Sequence, residues 1–278
     1  MLSDETMQNR KACLLESMQK DGFDAVVVYA DLEHGSNFEY LCGFLPRFEE
    51  ALLILHANGK AFMVLGNENL NKAGKARIEA VPIHMPHFSL PNQPMQTEKS
   101  VAQILASCEL EDAEKIGLIG WKNFTSHVED NHLLFDLPYF LVEALKTVCG
   151  KAQFTNAAYL LIGENGVRTT NNANEFAHYE YGAALAGNCI LKTMDRLKVG
   201  KTEMEMAETL AADGQRHSVV TIMLQEPVLK KPICIREINK FSAVIKFPSP
   251  QDLREDCRVV QAMQWNVLSS CLRRNRII

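Results

Sequence analysis

Between Glu50 and Gly66 the chain reads EALLILHANGKAFMVLG. Two apolar runs flank Asn58-Gly59, a dipeptide that accepts the left-handed backbone of a two-residue hairpin turn. The two runs are therefore expected to lie side by side as antiparallel strands. Other short apolar runs stand around them. DAVVVYA, ending at Ala30, is β-branched and uniformly apolar and reads as a buried strand. ARIEAVPIHM and KIGLIGW read as two more strands. Met7 to Lys20 has helical spacing and stops at Asp21-Gly22. TEKSVAQILASCEL predicts a helix opening at Thr97, with Glu98 in its first turn. HLLFDLPYFLVEALKTV is mostly helical, with Pro138 at its start or at an interruption. Strands alternating with helices predict an α/β domain over residues 1–150.

KAQFTNAAYLLIGENGVRTTNNAN is rich in Asn, Gly and Thr and predicts a connection over 151–173. From Asn174 the period turns helical, through NEFAHYEYGAALAGNCILKTMDRLKV, and Gly200 ends it. Thr202 and Glu205 stand at capping-box spacing before a second helix, whose apolar face is Met204, Ala207, Leu210 and Ala211.

With 278 residues, 47% hydrophobic and 23% charged, the chain can bury one large core or two ordinary ones. A formal net charge of -5 argues against a general nucleic-acid binder. No apolar run approaches the roughly 20 residues that span a bilayer. The polar start MLSDETMQNRKACLLESMQK has no signal-peptide core, so cytoplasmic residence is expected. The eight cysteines form no Cys-x-x-Cys pair and read as small buried hydrophobes.

Local motifs leave several readings open. HGSNFEYLCGF reads as a turn packed by Phe38, Tyr40 and Phe44, or as a pocket wall. His84 and His87 in PIHMPHF flank Pro86, which keeps a helix from presenting both on one face, and they read as loop residues. His178 and Glu180 fall on different sides of a helix. In PRFEEA, Arg47 stands beside Glu49 and Glu50, as a surface ion pair or as a contact to a substrate carboxylate. No Ser-His-Asp or Cys-His nucleophile arrangement stands out from spacing.

Three blocks taken in order carry a resemblance: DAVVVYADLEHGSNFEYLCGFLPRFEEALLIL, LGNENL, and NEFAHYEYGAALAGNCILKTMDRLKVGKTEMEMAETL. Together they resemble the creatinase and Xaa-Pro aminopeptidase (prolidase-like, M24) family over residues 1–222. The resemblance implies a ribonuclease H-like α/β domain of the creatinase N-terminal type at 1–150. After it would come an incomplete α+β pita-bread domain. Its two opening helices would occupy 174–222, joined by the Gly-x-Thr-Glu turn at Gly200 to Glu203. The family implies a hydrolase. Its peptidase members hold two divalent metal ions, such as Mn or Co, on two Asp, one His and two Glu. Those positions lie beyond the opening helices, and no His follows His217. No metal ligand and no catalytic residue therefore carries over. Asn37, Tyr40 and Arg47 are the candidate substrate contacts, because family N-terminal domains often abut a neighbouring subunit's active site. A homodimer is implied, with a peptide or small guanidino-type substrate only where the whole second domain is present. No nucleic-acid or membrane partner is expected. The alternative is a non-catalytic peptide- or protein-binding module of the same fold.

From Met223 to Ile278 both pattern and resemblance stop. Back-translating Lys231 to Lys240 in a shifted frame permits AYMYPRNKQ, a family-like Tyr-Pro turn. The tail at 223–278 is thus expected to be frameshifted text with little packed structure. The chain is then expected to be a truncated, inactive member. Without later strands, the faces bearing Ile190, Leu191, Met204, Ala207 and Leu210 are expected to stay partly wet.

Overall fold

The computed structural model describes residues 2–93, 97–196, 205, 206, 208, 210, 222–225 and 244–247. These fall into two units, Leu2–Thr170 and Asn171–Ile278.

In the first unit the expected hairpin forms, but through a three-residue loop, Ala57 to Gly59: the Gly59 N–H donates to the His56 carbonyl at 2.8 Å, and Gly59, not Asn58, takes the left-handed backbone, φ 86°. The His56 N–H donates to the Lys60 carbonyl at 2.9 Å, and Asn58 Oδ1 accepts from the Lys60 N–H at 2.9 Å. The turn joins β2 (Ala51–His56) to β3 (Ala61–Leu65), antiparallel, with Leu53 opposite Met63. On the other side of β2 lies β1 (Ala25–Ala30), also antiparallel, with Ala30 opposite Ala51. Three strands then join in parallel. These are β4 (Val81–His84) on β3, β5 (Lys115–Ile119) on β1, and β6 (Gln153–Asn156) on β5. The order is β4-β3-β2-β1-β5-β6. The central place of β1 accounts for its unbroken apolar run, since both of its faces are covered.

Side chains alternate across the sheet with a period of two. Val26 and Val28 join Leu14 and Met18 of α1 (Asp4–Asp21) and Phe38 and Leu41 of α2 (Ser36–Cys42). Val27 and Tyr29 join the opposite core, with Leu105 of α3 (Val101–Ala106) and Leu141 and Leu145 of α4 (Tyr139–Val148). Each such fully buried aliphatic side chain contributes about 1.5–3 kcal/mol through the apolar surface it removes from water. The α/β class expected from the alternation of elements is the class observed.

Four local differences have physical causes. HGSNFEYLCGF contains a helix rather than a turn: Phe38, Leu41 and Cys42 stand at i, i+3 and i+4 and form one buried stripe of α2. Helix α3 starts at Val101, not Thr97. Ser100 and Gln103 complete a reciprocal cap, with Gln103 N–H to Ser100 Oγ at 3.2 Å and Ser100 N–H to Gln103 Oε1 at 2.8 Å. Thr97 instead accepts from the Lys99 N–H in a local turn. His84 ends strand β4, its Nε2 2.7 Å from Asn67 Oδ1, rather than lying in a loop. Finally, the connection expected over 151–173 supplies the sixth strand and α5 (Tyr159–Ile162), so the unit runs past residue 150 to Thr170. Strand β6 is short and polar because it borders the sheet. Thr155 Oγ1 donates to the His132 carbonyl, and Asn156 Nδ2 to the Leu134 carbonyl.

In the second unit, α6 (Ala173–Asp195) begins where a helix was expected. Asn172 and Glu175 cap each other's backbone N–H groups, both at 2.9 Å. Leu191 is exposed, as expected of a wet face, but Ile190 and Leu210 are buried. The adjacent residues 190 and 191 point to different sides of the helix. Strands β7 (Ile222–Gln225) and β8 (Val244–Phe247) pair in parallel within the tail expected to hold little structure. Thr202, Met204, Ala207 and the remainder of that tail lie outside the described residues. Among the described residues, no helix is long and apolar enough to cross a membrane.

Candidate functional site

Pro46 to Glu50 leads into β2, and its backbone is held from one side by a single residue. Asn69 Oδ1 accepts from the Arg47 N–H at 3.2 Å, and Asn69 Nδ2 donates to the Arg47 carbonyl at 2.9 Å. The same amide accepts from Lys72 Nζ at 2.7 Å and donates to Glu49 Oε2 at 3.3 Å. An Asn side chain has two donor hydrogens and two acceptor lone pairs, and all four are used at a residue that is 0% exposed. Glu49 is 3% exposed and also accepts from the Glu68 N–H at 2.9 Å. Its carboxylate packs onto Gly66, where a Cβ would stand 2.5 Å from Oε2, so a side chain at 66 would displace it.

Held this way, Arg47 and Phe48 face outward. Arg47 is exposed, and among the described residues no carboxylate forms an ion pair with it. Its guanidinium carbon lies 5.4 Å from the centre of the Phe48 ring. Phe48 is 64% exposed and has a left-handed backbone, φ 70°. Burial, then the Arg47 charge, pulls the Lys72 ammonium below its ordinary pKa, against the opposing pull of Glu49 and Glu68. The turn thus carries two cations, Arg47 and Lys72, among the carboxylates of Glu49 and Glu68.

The other two candidate contacts lie inside the unit. Asn37 is 1% exposed; its Nδ2 donates to the Gly120 carbonyl at 2.7 Å, and its Oδ1 accepts from Arg168. Tyr40 is 8% exposed. Its ring lies between two buried arginines, with the guanidinium carbon of Arg10 at 4.0 Å and that of Arg168 at 5.5 Å. Its hydroxyl donates to the Val167 carbonyl at 3.3 Å. The Gly120 turn is fixed from its other side by Asp136, whose Oδ2 accepts from the N–H groups of Trp121 and Lys122. A Cβ on Gly120 would stand 2.2 Å from Asp136 Oδ1, so this seat needs glycine. Asn37 and Tyr40 therefore share Arg168, whereas Arg47 is organised by Asn69. Sequence reasoning did not single out Asn69, Phe48, Arg168 or Asp136. The one signal for Asn69 was its place in LGNENL, between a strand and a polar run.

A third cluster borders this surface at the ends of β1 and β2. Asp31 accepts from the N–H groups of Glu33 and His34 and lies 3.0 Å from His34 Nδ1; the imidazole stacks on Trp121 at 4.6 Å. Burial pushes the Asp31 carboxyl up, but the His34 side chain and the two backbone donors outweigh it and hold it below its ordinary value. Glu50 is shifted the other way: burial, with the Asp31 and Glu49 charges, raises it against the pull of its own backbone N–H. The signs are opposite. Asp31 stabilises the fold above the ordinary carboxyl range and loses that contribution as pH falls through its depressed value. Glu50 fits best when protonated, so its contribution is present in acid and lost as pH rises through its raised value. Glu50→Gln is accordingly expected to raise the melting temperature near neutral pH. The gain should vanish below the ordinary value of 4.5, where the wild-type carboxyl is already protonated. A melting series against pH checks this; an equal gain at every pH would contradict it.

Among the described residues, no group of three or more His, Cys, Asp or Glu could hold a metal ion. A two-metal centre does not fit the donors among the described residues.

Residues 10–163 match the family described as the Creatinase/Prolidase N-terminal domain. Among solved structures, the chain is similar to an Xaa-Pro dipeptidase from Bacillus anthracis, at 13% identity and a TM-score of 0.51, over 73% of this chain and 47% of that one. It is similar to a prolidase from Pyrococcus horikoshii OT3, at 17% identity and a TM-score of 0.50, over 73% and 47%. A recombinant prolidase from Thermococcus sibiricus gives 17% identity and a TM-score of 0.51, over 73% and 48%. At these identities the likeness is one of fold, and the chain spans about half the length of these structures. No curated protein matches the chain. With the matched family covering more than half of its length, the chain belongs to the creatinase/prolidase N-terminal domain family.

Proposed function

We propose that this chain is the substrate-recognising front part of an Xaa-Pro peptidase-like hydrolase, and that Arg47 receives the free carboxylate of a short peptide. The observation that carries the proposal is an exposed guanidinium on a doubly anchored backbone, with no carboxylate paired to it among the described residues. A carboxylate can meet such a guanidinium through two parallel charge-assisted hydrogen bonds. Asn37 and Tyr40 are buried in a separate network with the Gly120 carbonyl, Arg168 and the Val167 carbonyl, and in this reading they support the domain rather than touch the peptide. Hydrolysis itself belongs to the two-metal ligand set that the resemblance places after the opening helices. A cytoplasmic homodimer, in which each front domain meets its neighbour's second domain, belongs to the same reading.

The test is a cleavage assay of the pure chain on an Xaa-Pro dipeptide with added manganese or cobalt. No turnover is expected. Chelator-sensitive turnover that persists in repeated preparations would show that this chain carries its own metal centre. In a binding assay, Arg47→Ala is expected to weaken a dipeptide with a free carboxylate by about tenfold, the value of losing one charge-assisted contact. An unchanged affinity would remove Arg47 from the site.

A further inference from the structure

Helix α6 carries apolar side chains on both of its faces. Cys189, Ile190 and Thr193 turn inward and are buried, yet Phe176, Tyr181, Leu191 and Met194 are 54%, 64%, 58% and 37% exposed. At about 100° per residue, these four fall within an arc of about 140°, which also holds Ala177, Ala184 and Gly187. A Cβ on Gly187 would meet nothing within 4 Å, so no described residue lies over the middle of this face. At their exposures the four large side chains display roughly 450 Å² between them. Apolar surface of a few hundred Å² gathered on one helix is of the size that marks an interaction site.

We propose that this face pairs with its own copy on a second chain, as an antiparallel helix pair centred on Ala184. A second copy is selected because the face complements itself when reversed. In a two-fold antiparallel pair, residues equally far before and after the centre face each other. Leu191, seven residues after Ala184, then lies on Ala177, seven before: a large side chain over a small one, twice by symmetry. Phe176 and Met194 share one flank of the helix and meet across the pair within one turn, a favourable sulfur–aromatic contact. Ala184 faces Ala184, which lets the two backbones approach closely. Glu180 lies within the arc too; Gly187 comes opposite it and leaves its stem room to lead the carboxylate out to water. A parallel pair would instead set Leu191 on Leu191 and Phe176 on Phe176, large against large, and leave Ala177 against Ala177 with a gap. Covering the four large side chains on both copies removes about 900 Å² from water, and the small residues between them bring the total near the ~1,000 Å² at which a specific interface begins. The contact joins second unit to second unit. It is distinct from a homodimer that joins front domain to second domain, and independent of the Arg47 reading.

The experiment is sedimentation equilibrium of the full chain over about 1 to 200 μM, with a midpoint between monomer and dimer expected on the order of 10 μM for an interface of this size. Ala184→Arg keeps helix propensity at an exposed position and sets two like charges face to face. It is expected to raise the midpoint at least about tenfold and to leave the helical circular-dichroism signal of the dilute protein unchanged. A second measurement reads the register, since only residues whose Cα atoms come within about 7 Å can be bridged by a disulfide. Under mild oxidation Ala184→Cys is expected to link to itself, and Ala177→Cys to link to Leu191→Cys when the two variants are mixed. Wild type oxidised alongside gives the background from the native cysteines. A chain that stays monomeric over the whole range, or a dimer that Ala184→Arg leaves intact, overturns the inference. Preferential linking of Ala177→Cys to itself overturns it as well, because that is the parallel arrangement.

Discussion

Asn69→Ala is expected to lower the stability of the first unit by about 3–4 kcal/mol, as four hydrogen bonds of roughly 1 kcal/mol each are lost at a buried position. The loss is concentrated because one amide serves four partners: both backbone groups of Arg47, the Lys72 ammonium and the Glu49 carboxylate. Glu49 suffers most. It is 3% exposed, and Oε1 already has no hydrogen-bond partner among the described residues. A buried carboxylate that loses a donor keeps its desolvation penalty. Denaturant unfolding measures the effect. Asn69→Asp should be no rescue, since it swaps two donors for a second negative charge beside Glu49. Any remaining folded protein should also bind dipeptides poorly, because Arg47 loses its anchor. A variant that unfolds like wild type would mean that the turn is held by other means.

The second large effect is expected at Asn37. Replacement by Ala removes the donor to the Gly120 carbonyl and the acceptor for Arg168, which is 6% exposed. Leaving a buried carbonyl short of a donor and a buried guanidinium short of an acceptor costs about 3 kcal/mol, more than a neutral pair would. Ser36 Oγ, at 3.4 Å from Arg168, is too distant to substitute fully. The observable is again the unfolding midpoint. Loss should be similar for Asn37→Leu, which fills the space but restores neither bond. Retention of stability in Asn37→Leu would show that volume, not hydrogen bonding, is what the position supplies.

The parts of this fold that were legible in the sequence are those where one force dominates. The β2–β3 hairpin follows from Asn58-Gly59 and two apolar runs, and β1 from a run apolar on both faces. The helical stripe of α2 is only seven residues long, short enough for its period to be lost among Gly35, Asn37 and Gly43. Strand β6 carries no apolar alternation because Thr155 and Asn156 reach backbone carbonyls, which leaves Phe154 as its one apolar side chain against the core. The onset of α3 turned on a competition between two hydroxyls, Thr97 and Ser100, which only the reciprocal bond to Gln103 resolves. At the site, Arg47 was legible as a choice between an ion pair and a ligand contact. Asn69 and Gly66, some twenty residues away, draw Glu49 inward, so the ion pair with Glu49 does not form; the ligand contact is the proposal made above. The left-handed backbone at Phe48 could not be read at all, since nothing in PRFEEA marks it.

The most direct measurement is an NMR titration of the full chain with glycyl-proline and with its C-terminal amide, in the presence of a chelator. The free acid is expected to shift resonances of the Arg47–Phe48 turn in the wild type but not in Arg47→Ala, and the amide to shift them in neither. Equal responses to acid and amide, or binding that appears only when a divalent metal is added, would contradict a carboxylate-reading surface that stands apart from the metal chemistry.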